Sequence, residues 1–275
     1  MEIFTIILAS FLSVLTPGGF ILDNIVANRV RSQSGEIDEL AVRIDNVPSY
    51  QIISGKVDRL RIASRGVQLT EGIKAEVLEV ETDPLDIDLQ RLRSGGRDAL
   101  RASLRQPLRA GVRLVLSAED LNLALQAPPI KQRIQDILNV LAQSIPTAPD
   151  GEYQLTEIQL EIPEAERLRV QLKLVSPDSE DEFLRELDLL VEVGVGSVTG
   201  RTFELDRPLV SINGIVIPSE FTAGLIRGVG NRLDLGNLED AGILMRILQL
   251  ELEEDKLEIA AFIQAQPLEL ESESN

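Results

Sequence analysis

The chain of 275 residues contains no His, no Cys and no Trp, and Phe, Trp and Tyr together make up only 3% of it. Each absence argues against a class of chemistry. Without imidazole or thiolate there is no Ser–His or Cys–His nucleophile pair, no ordinary zinc, copper or haem site and no iron–sulfur cluster. Scarce aromatics argue against stacking platforms for single-stranded nucleic acid. Basic residues are outnumbered, 27 Lys and Arg against 45 Asp and Glu, and the formal net charge of −18 opposes nucleic-acid phosphates. A chain free of Cys forms no disulfide, so cysteine usage leaves the compartment open.

What is present is aliphatic. Leu, Ile and Val alternate with polar residues over long stretches, within a hydrophobic content of 44%. That alternation describes half-buried strands, and the length suits one large β-rich domain or two smaller ones.

The amino terminus departs from this pattern. From Ile3 to Leu22 there is no charged residue, and Pro17, Gly18 and Gly19 interrupt the run near its end. Glu2 is the one charge ahead of it and no A-x-A cleavage site follows, which disfavours a cleaved secretory signal. Residues 1–22 are therefore expected to be an uncleaved membrane-associating segment, with a buried terminal helix as the alternative. Arg29 and Arg31 beyond the run favour a cytoplasmic body by the positive-inside tendency.

Strand patterning begins at Leu40, Val42 and Ile44 and continues through Leu60 and Ile62, Val67 and Leu69, and Ile73 to Val80. Helical spacing follows over 89–106, stopped by Pro107. Ser117 reads as an N-cap with Asp120 three residues on. Beyond Pro128 and Pro129, the residues Ile130, Ile134, Ile137, Leu138, Leu141 and Ile145 form the best apolar helical stripe. Strands resume at Leu155, with an Asn213-Gly214 turn signal between two of them, then a helix over 219–233, and two more strands to Ile263. The tail over 268–275 is acidic and expected to be disordered. With no long Gly/Ser linker, residues 23–267 read as a single α+β domain of two similar halves, its sheet mostly antiparallel and strongly curved.

The sharpest local signal is an arginine series. Arg93, Arg97, Arg101 and Arg105 recur every four residues, within a stretch whose one acid is Asp98. On a continuous helix they share a broad face, which suits anionic lipid head groups or an acidic partner. A solvated face paired with the chain's own carboxylates is the plainer reading, and Gly95-Gly96 weakens the helix. The segment VGVGSVTG over 193–200 lacks the Lys-Ser/Thr of a phosphate loop and precedes a strand. Asp83, Asp86 and Asp88 lack the Gly and distal Glu of a calcium loop.

Five segments carry a family resemblance: NVPSYQIISGKVDRLRIASRGVQL (46–69), ETDPLDIDLQRL (81–92), LSAEDLNLAL (116–125), INGIVIPSEF (212–221) and LMRILQLELEEDKLEIAAFI (244–263). Together they resemble the LmeA (lipomannan elongation factor A) family of phospholipid-binding envelope proteins, and in particular its cyanobacterial branch. The resemblance implies an elongated sheet wrapped on long helices around a tubular apolar cavity, akin to the tubular lipid-binding (TULIP) superfamily. It also implies phospholipid binding at the membrane or cell envelope, and it offers no catalytic residue.

The expectation is a non-enzymatic lipid-binding protein without cofactor, metal or nucleic-acid partner; a membrane-associated scaffold without ligand is the alternative. Candidate cavity residues are Leu60, Ile62, Ile134, Leu138, Leu141, Leu172 and Val191, since apolar ligand sites need aliphatic linings with few polar anchors. The helix Ile130 to Ile145 is expected to lie against the concave face of the sheet. Candidate membrane and head-group contacts are Arg93, Arg97, Arg101 and Arg105.

Overall fold

Alternating sequence becomes alternating structure in two antiparallel sheets. A computed structural model of the chain describes residues 37–268 except 71, 94–98, 144–152, 165, 177–184, 199, 219, 221 and 223–233. The first sheet has six strands in the order β1 (Glu39–Asp45), β3 (Arg59–Thr70), β4 (Ile73–Thr82), β6 (Leu108–Ser117), β13 (Lys256–Ala265) and β12 (Ile243–Glu253). The second has five: β11 (Ile215–Ile217), β10 (Thr202–Ile212), β9 (Glu186–Val198), β8 (Arg167–Val175) and β7 (Gln154–Glu161). A two-stranded pair joins β2 (Lys56–Val57) to β5 (Leu85–Asp86).

Register shows why each sheet has one apolar face. In the first sheet Val42, Ile62, Val80, Val112, Ala261 and Ile247 are successive cross-strand partners, an unbroken aliphatic row over six strands. The adjacent row, one residue along each strand, runs Arg43, Arg61, Glu81, Gly111, Phe262 and Arg246. Because side chains alternate faces, a one-residue slip would exchange these rows, so burial pins the register. The core gathers on this sheet: Leu60, Ile62, Val80, Leu85, Ile87, Leu100, Leu104 and Leu108 are buried in one cluster.

The two sheets meet at β12. The Gly200 carbonyl, in the β9–β10 turn, accepts from the Ile247 N–H at 2.6 Å, beside a register shift in β12. Gly200 has φ +66, and a Cβ there would collide with the Ile247 carbonyl, so the approach requires glycine. A second tie runs from the Glu166 N–H to the Leu252 carbonyl.

Helices are few and short among the described residues: α1 (Leu89–Arg93), α2 (Ala99–Ser103), α3 (Ala118–Gln126) and α4 (Pro128–Gln143). The expected α+β architecture, a strongly curved sheet wrapped on long helices in a tubular lipid-binding arrangement, is therefore corrected. Among the described residues the protein is mostly antiparallel β, and no sheet is wound on a long helix. The stripe from Ile130 to Leu141 does belong to a helix, α4, with Ile145 outside the described residues, but α4 runs along the edge strand β7 rather than a concave sheet face, and α3 bridges β7 to β4 and β6. The physical reason is hydrogen bonding: an edge strand exposes unpaired N–H and C=O groups, and polar side chains on these helices satisfy them. Within the helix expected over 89–106 the described residues form α1 and α2, residues 94–98 lie outside the described residues, and α2 ends at Ser103.

Other local expectations hold. Ser117 caps α3, its Oγ accepting from the Asp120 N–H at 3.0 Å. Asn213 (φ 49) and Gly214 (φ 78) form the tight β10–β11 turn, as a two-residue hairpin needs. The apolar segment over 1–22, the helix over 219–233 for most of its length, and residues 269–275 of the tail lie outside the described residues. No described helix is long and apolar enough to cross a membrane.

Candidate functional site

The five-stranded sheet carries a second aliphatic lattice. One cross-strand row is Leu160, Val170, Val191, Val210 and Ile217; the next on the same face is Ile158, Leu172, Leu189, Ile212 and Ile215. β-Branched residues dominate because they suit a pleated surface. Ile158, Leu172 and Val210 are buried, while Leu160, Val170, Leu189, Val191, Ile212 and Ile217 are only half-buried. A ligand with an acyl chain needs such an accessible apolar surface without polar competition.

The opposite face of this sheet is closed to such a ligand by its own ion pairs. Glu192 accepts from Arg167 Nε at 2.8 Å and from Arg169 Nη2 at 3.0 Å, and Arg169 also reaches Glu161 at 3.3 Å. Burial pushes the Glu192 carboxyl up, but the hydrogen bonds and charges of the two guanidiniums more than reverse this, leaving its pKa below the ordinary value. Lys173 pairs with Glu157 at 2.6 Å, and Gln171 donates to both Asp188 oxygens.

The β7 edge is sealed by side-chain amides. Asn122 on α3 mimics a strand: its Nδ2 donates to the Leu160 carbonyl at 2.8 Å and its Oδ1 accepts from the Leu160 N–H at 2.7 Å. Gln126 donates to the Ile158 carbonyl at 2.7 Å. On α4, Gln135 accepts from the Leu155 N–H at 2.7 Å and donates to the Tyr153 carbonyl at 2.6 Å. Spacing explains the fit, since four helical residues rise about 6 Å and two strand residues about 6.8 Å. These amides escaped the sequence reading, although Asn122 and Gln126 at i, i+4 were visible signals.

The candidate cavity residues fall into three places. Leu60 and Ile62 are buried on β3 in the six-stranded sheet, within the packed core. Leu172 and Val191 sit on neighbouring strands of the five-stranded sheet, in adjacent rows. Ile134 and Leu138 are half-buried on α4, beside the β7 edge, and the side chain of Leu141 lies outside the described residues. The structure thus brings Leu172 and Val191 together and sets Leu60 and Ile62 apart on the other sheet.

Of the four arginines, the two whose side chains are described do not share a helix. Arg101 is on α2, its Nε donating to the Gln266 carbonyl at 3.1 Å. Arg105 follows α2 and pairs with Asp86 at 3.1 Å and Asp88 at 3.5 Å. Asp88 has its pKa lowered, first by the Arg91 backbone N–H and also by Arg105. The side chain of Arg93, and the whole of Arg97, lie outside the described residues.

The six-stranded sheet carries a groove of about 490 Å³, lined by Ala41, Ala63, Gly111 and Ala260 among the side chains of Arg61 and Arg113. Its charged rim is internally matched: Arg113 binds Glu258 at 2.6 Å and Glu79 at 3.4 Å, which lowers the Glu258 pKa. No cluster of carboxylates suited to a metal ion occurs among the described residues.

A family model described as LmeA-like phospholipid-binding matches residues 15–262. No curated protein and no solved structure matches the chain. The chain belongs to the LmeA-like phospholipid-binding family.

Proposed function

We propose that this member of a phospholipid-binding family holds a lipid acyl chain against the aliphatic face of its five-stranded sheet, and so binds, and carries, phospholipid without catalysing a reaction. The observation that supports this is the half-buried row Leu160, Val170, Val191 and Ile217, an apolar surface whose opposite face is neutralised by ion pairs. Val191 contacts the acyl chain directly in this reading and the buried Leu172 supports it from the adjacent row, with Ile134, Leu138 and Leu141 of α4 beside the β7 edge. Leu60 and Ile62 support it from the core of the other sheet.

The reading extends to location. Residues 23–267 act as one lipid-binding unit of two similar halves, held at the membrane or envelope by the apolar segment over 1–22, in the manner of the cyanobacterial branch of the family. The arginine series contacts head groups, with Arg105 its most testable member because its exposed guanidinium must exchange Asp86 and Asp88 for lipid phosphate.

Native mass spectrometry of the purified chain tests the binding reading. Co-purifying phospholipid, with a melting temperature that rises as lipid is added, is the expected result. A chain that is consistently empty and unmoved by lipid would instead support a membrane-associated scaffold.

A further inference from the structure

The segment between β1 and β2 presents apolar side chains to solvent in a way the lipid-holding sheet does not explain. Val47 is 84% exposed, Tyr50 73% and Ile53 64%. All three lie in the run Asn46 to Gly55, which contains no charged residue although the chain carries a net charge of −18. Exposed aliphatic residues scattered singly are ordinary, but three within seven residues on one short connection are a patch.

This tip is held in shape from its base. The Val47 N–H donates to Asp58 Oδ2 at 2.8 Å, and the Asp58 N–H donates back to Asn46 Oδ1 at 3.0 Å. A 3-10 turn over Ser49–Ser54 is closed by Gly55 in the left-handed conformation, whose N–H donates to the Ile52 carbonyl at 2.9 Å. The Gly55 carbonyl in turn accepts from the Ile87 N–H at 2.9 Å, and Arg105 Nη1 donates to the Ser54 carbonyl at 3.4 Å. Ile52 turns inward against the core. The neighbouring Val47, Tyr50 and Ile53 are therefore held outward by a rigid base, where a pliable loop could have folded them in.

We infer that Val47, Tyr50 and Ile53 form a docking tip that inserts into the interfacial layer of a phospholipid bilayer. The chemistry favours a lipid surface. The tip is apolar and uncharged, and its Tyr combines a ring with a hydroxyl, the combination enriched where hydrocarbon meets head groups. Exposed Lys56 and Arg105 at its base, paired with Asp86, are positioned to meet lipid phosphates as the tip enters. The inference rests on the lipid-binding reading above, because a protein that holds an acyl chain must meet the bilayer that supplies it.

The absence of Trp supplies the test. Tyr50→Trp in the full chain is a single reporter at the tip, and Leu123→Trp, on exposed α3, is a reporter elsewhere on the surface. Each variant is mixed with vesicles of phosphatidylcholine and phosphatidylglycerol, with and without brominated acyl chains. The expected result is a blue-shifted Tyr50→Trp emission quenched by the brominated lipid, and an unchanged Leu123→Trp emission. Val47→Ser with Ile53→Ser, added to the Tyr50→Trp chain, should weaken its titration by vesicles at least about tenfold, since two apolar side chains no longer leave water.

An unchanged Tyr50→Trp emission while the protein sediments with vesicles would overturn the inference, as attachment would then run through another segment. A blue shift that depends on protein concentration without vesicles would overturn it too, in favour of a second copy of the chain. The underlying reading fails separately: a chain empty of phospholipid whose Tyr50→Trp is still quenched keeps the docking tip and loses the lipid-holding sheet.

Discussion

The two sheets follow one binary pattern and end in different states. In the six-stranded sheet four of the six residues of the aliphatic row, Ile62, Val80, Ala261 and Ile247, are buried, and Val42 and Val112 are half-buried. In the five-stranded sheet the matching row leaves Leu160, Val170, Val191 and Ile217 half-buried, and only Val210 is buried. The difference lies in what each sheet packs against. The first is backed by Leu85, Ile87, Leu92, Leu100 and Leu104 from the α1–α2 region, which belong to its buried cluster. Among the described residues the second has α4 along its edge, while α3 bridges that edge to β4 and β6 of the first sheet, and the amides of both helices satisfy the β7 backbone. Identical alternation thus ends in a buried row in one sheet and in a half-buried row in the other.

The contrast breaks most sharply under truncation. Leu60→Ala in the six-stranded sheet removes a side chain with no exposed surface and should cost about 2–5 kcal/mol in urea unfolding. The lipid bound per folded molecule should stay unchanged. Asn122→Leu should cost about 1–3 kcal/mol, because it leaves the Leu160 N–H and C=O without their partner. Hydrogen exchange at the Leu160 amide should accelerate selectively, and amides of β3 and β4 should not follow.

Val191→Thr sharpens the comparison from the other side. At a half-buried strand position it should change stability by about 1 kcal/mol or less, yet reduce the lipid-dependent rise in melting temperature. If the same exchange at Val80, buried on β4, reduced the lipid effect without a larger loss of stability, the assignment of roles to the two sheets would be reversed.

The smallest effect is one the sheets should share. Glu192 and Glu258 are each held by guanidiniums, and their pKa values lie below the ordinary 4.5. A depressed folded pKa contributes stability that is complete above the unfolded value and is lost as pH falls through the folded one. Urea titrations from neutral pH downward should therefore show stability falling below about pH 4.5, with a shallower fall in Glu192→Gln.

The strands were legible because period-two alternation is strong in this chain: Leu40, Val42 and Ile44, or Leu172 and Leu174, announce their faces directly. The Ser117 cap and the Asn213-Gly214 turn were legible because their backbone needs restrict residue type. The placement of α4 was not. Its stripe from Ile130 to Leu138 promises a sheet face, and the competing claim of Gln135 on the β7 edge appears only once strand order is known. The arrangement of the arginine series was not legible either, since a four-residue spacing implies one face only if the helix is continuous. Here α2 ends at Ser103, and Arg105 falls beyond it. The exposure of Val47, Tyr50 and Ile53 was not legible, because no alternation marks an inner and an outer face across this segment.

The central claim is that lipid lies on the five-stranded sheet. Photoactivatable phospholipid, reactive at the end of its acyl chain, can be bound to the chain, irradiated and mapped by peptide mass spectrometry. Adducts should concentrate on β7 to β10, at residues such as Val170, Leu189 and Val191. Adducts confined to β3, β4 and β6, or none above a lipid-free control, would contradict it.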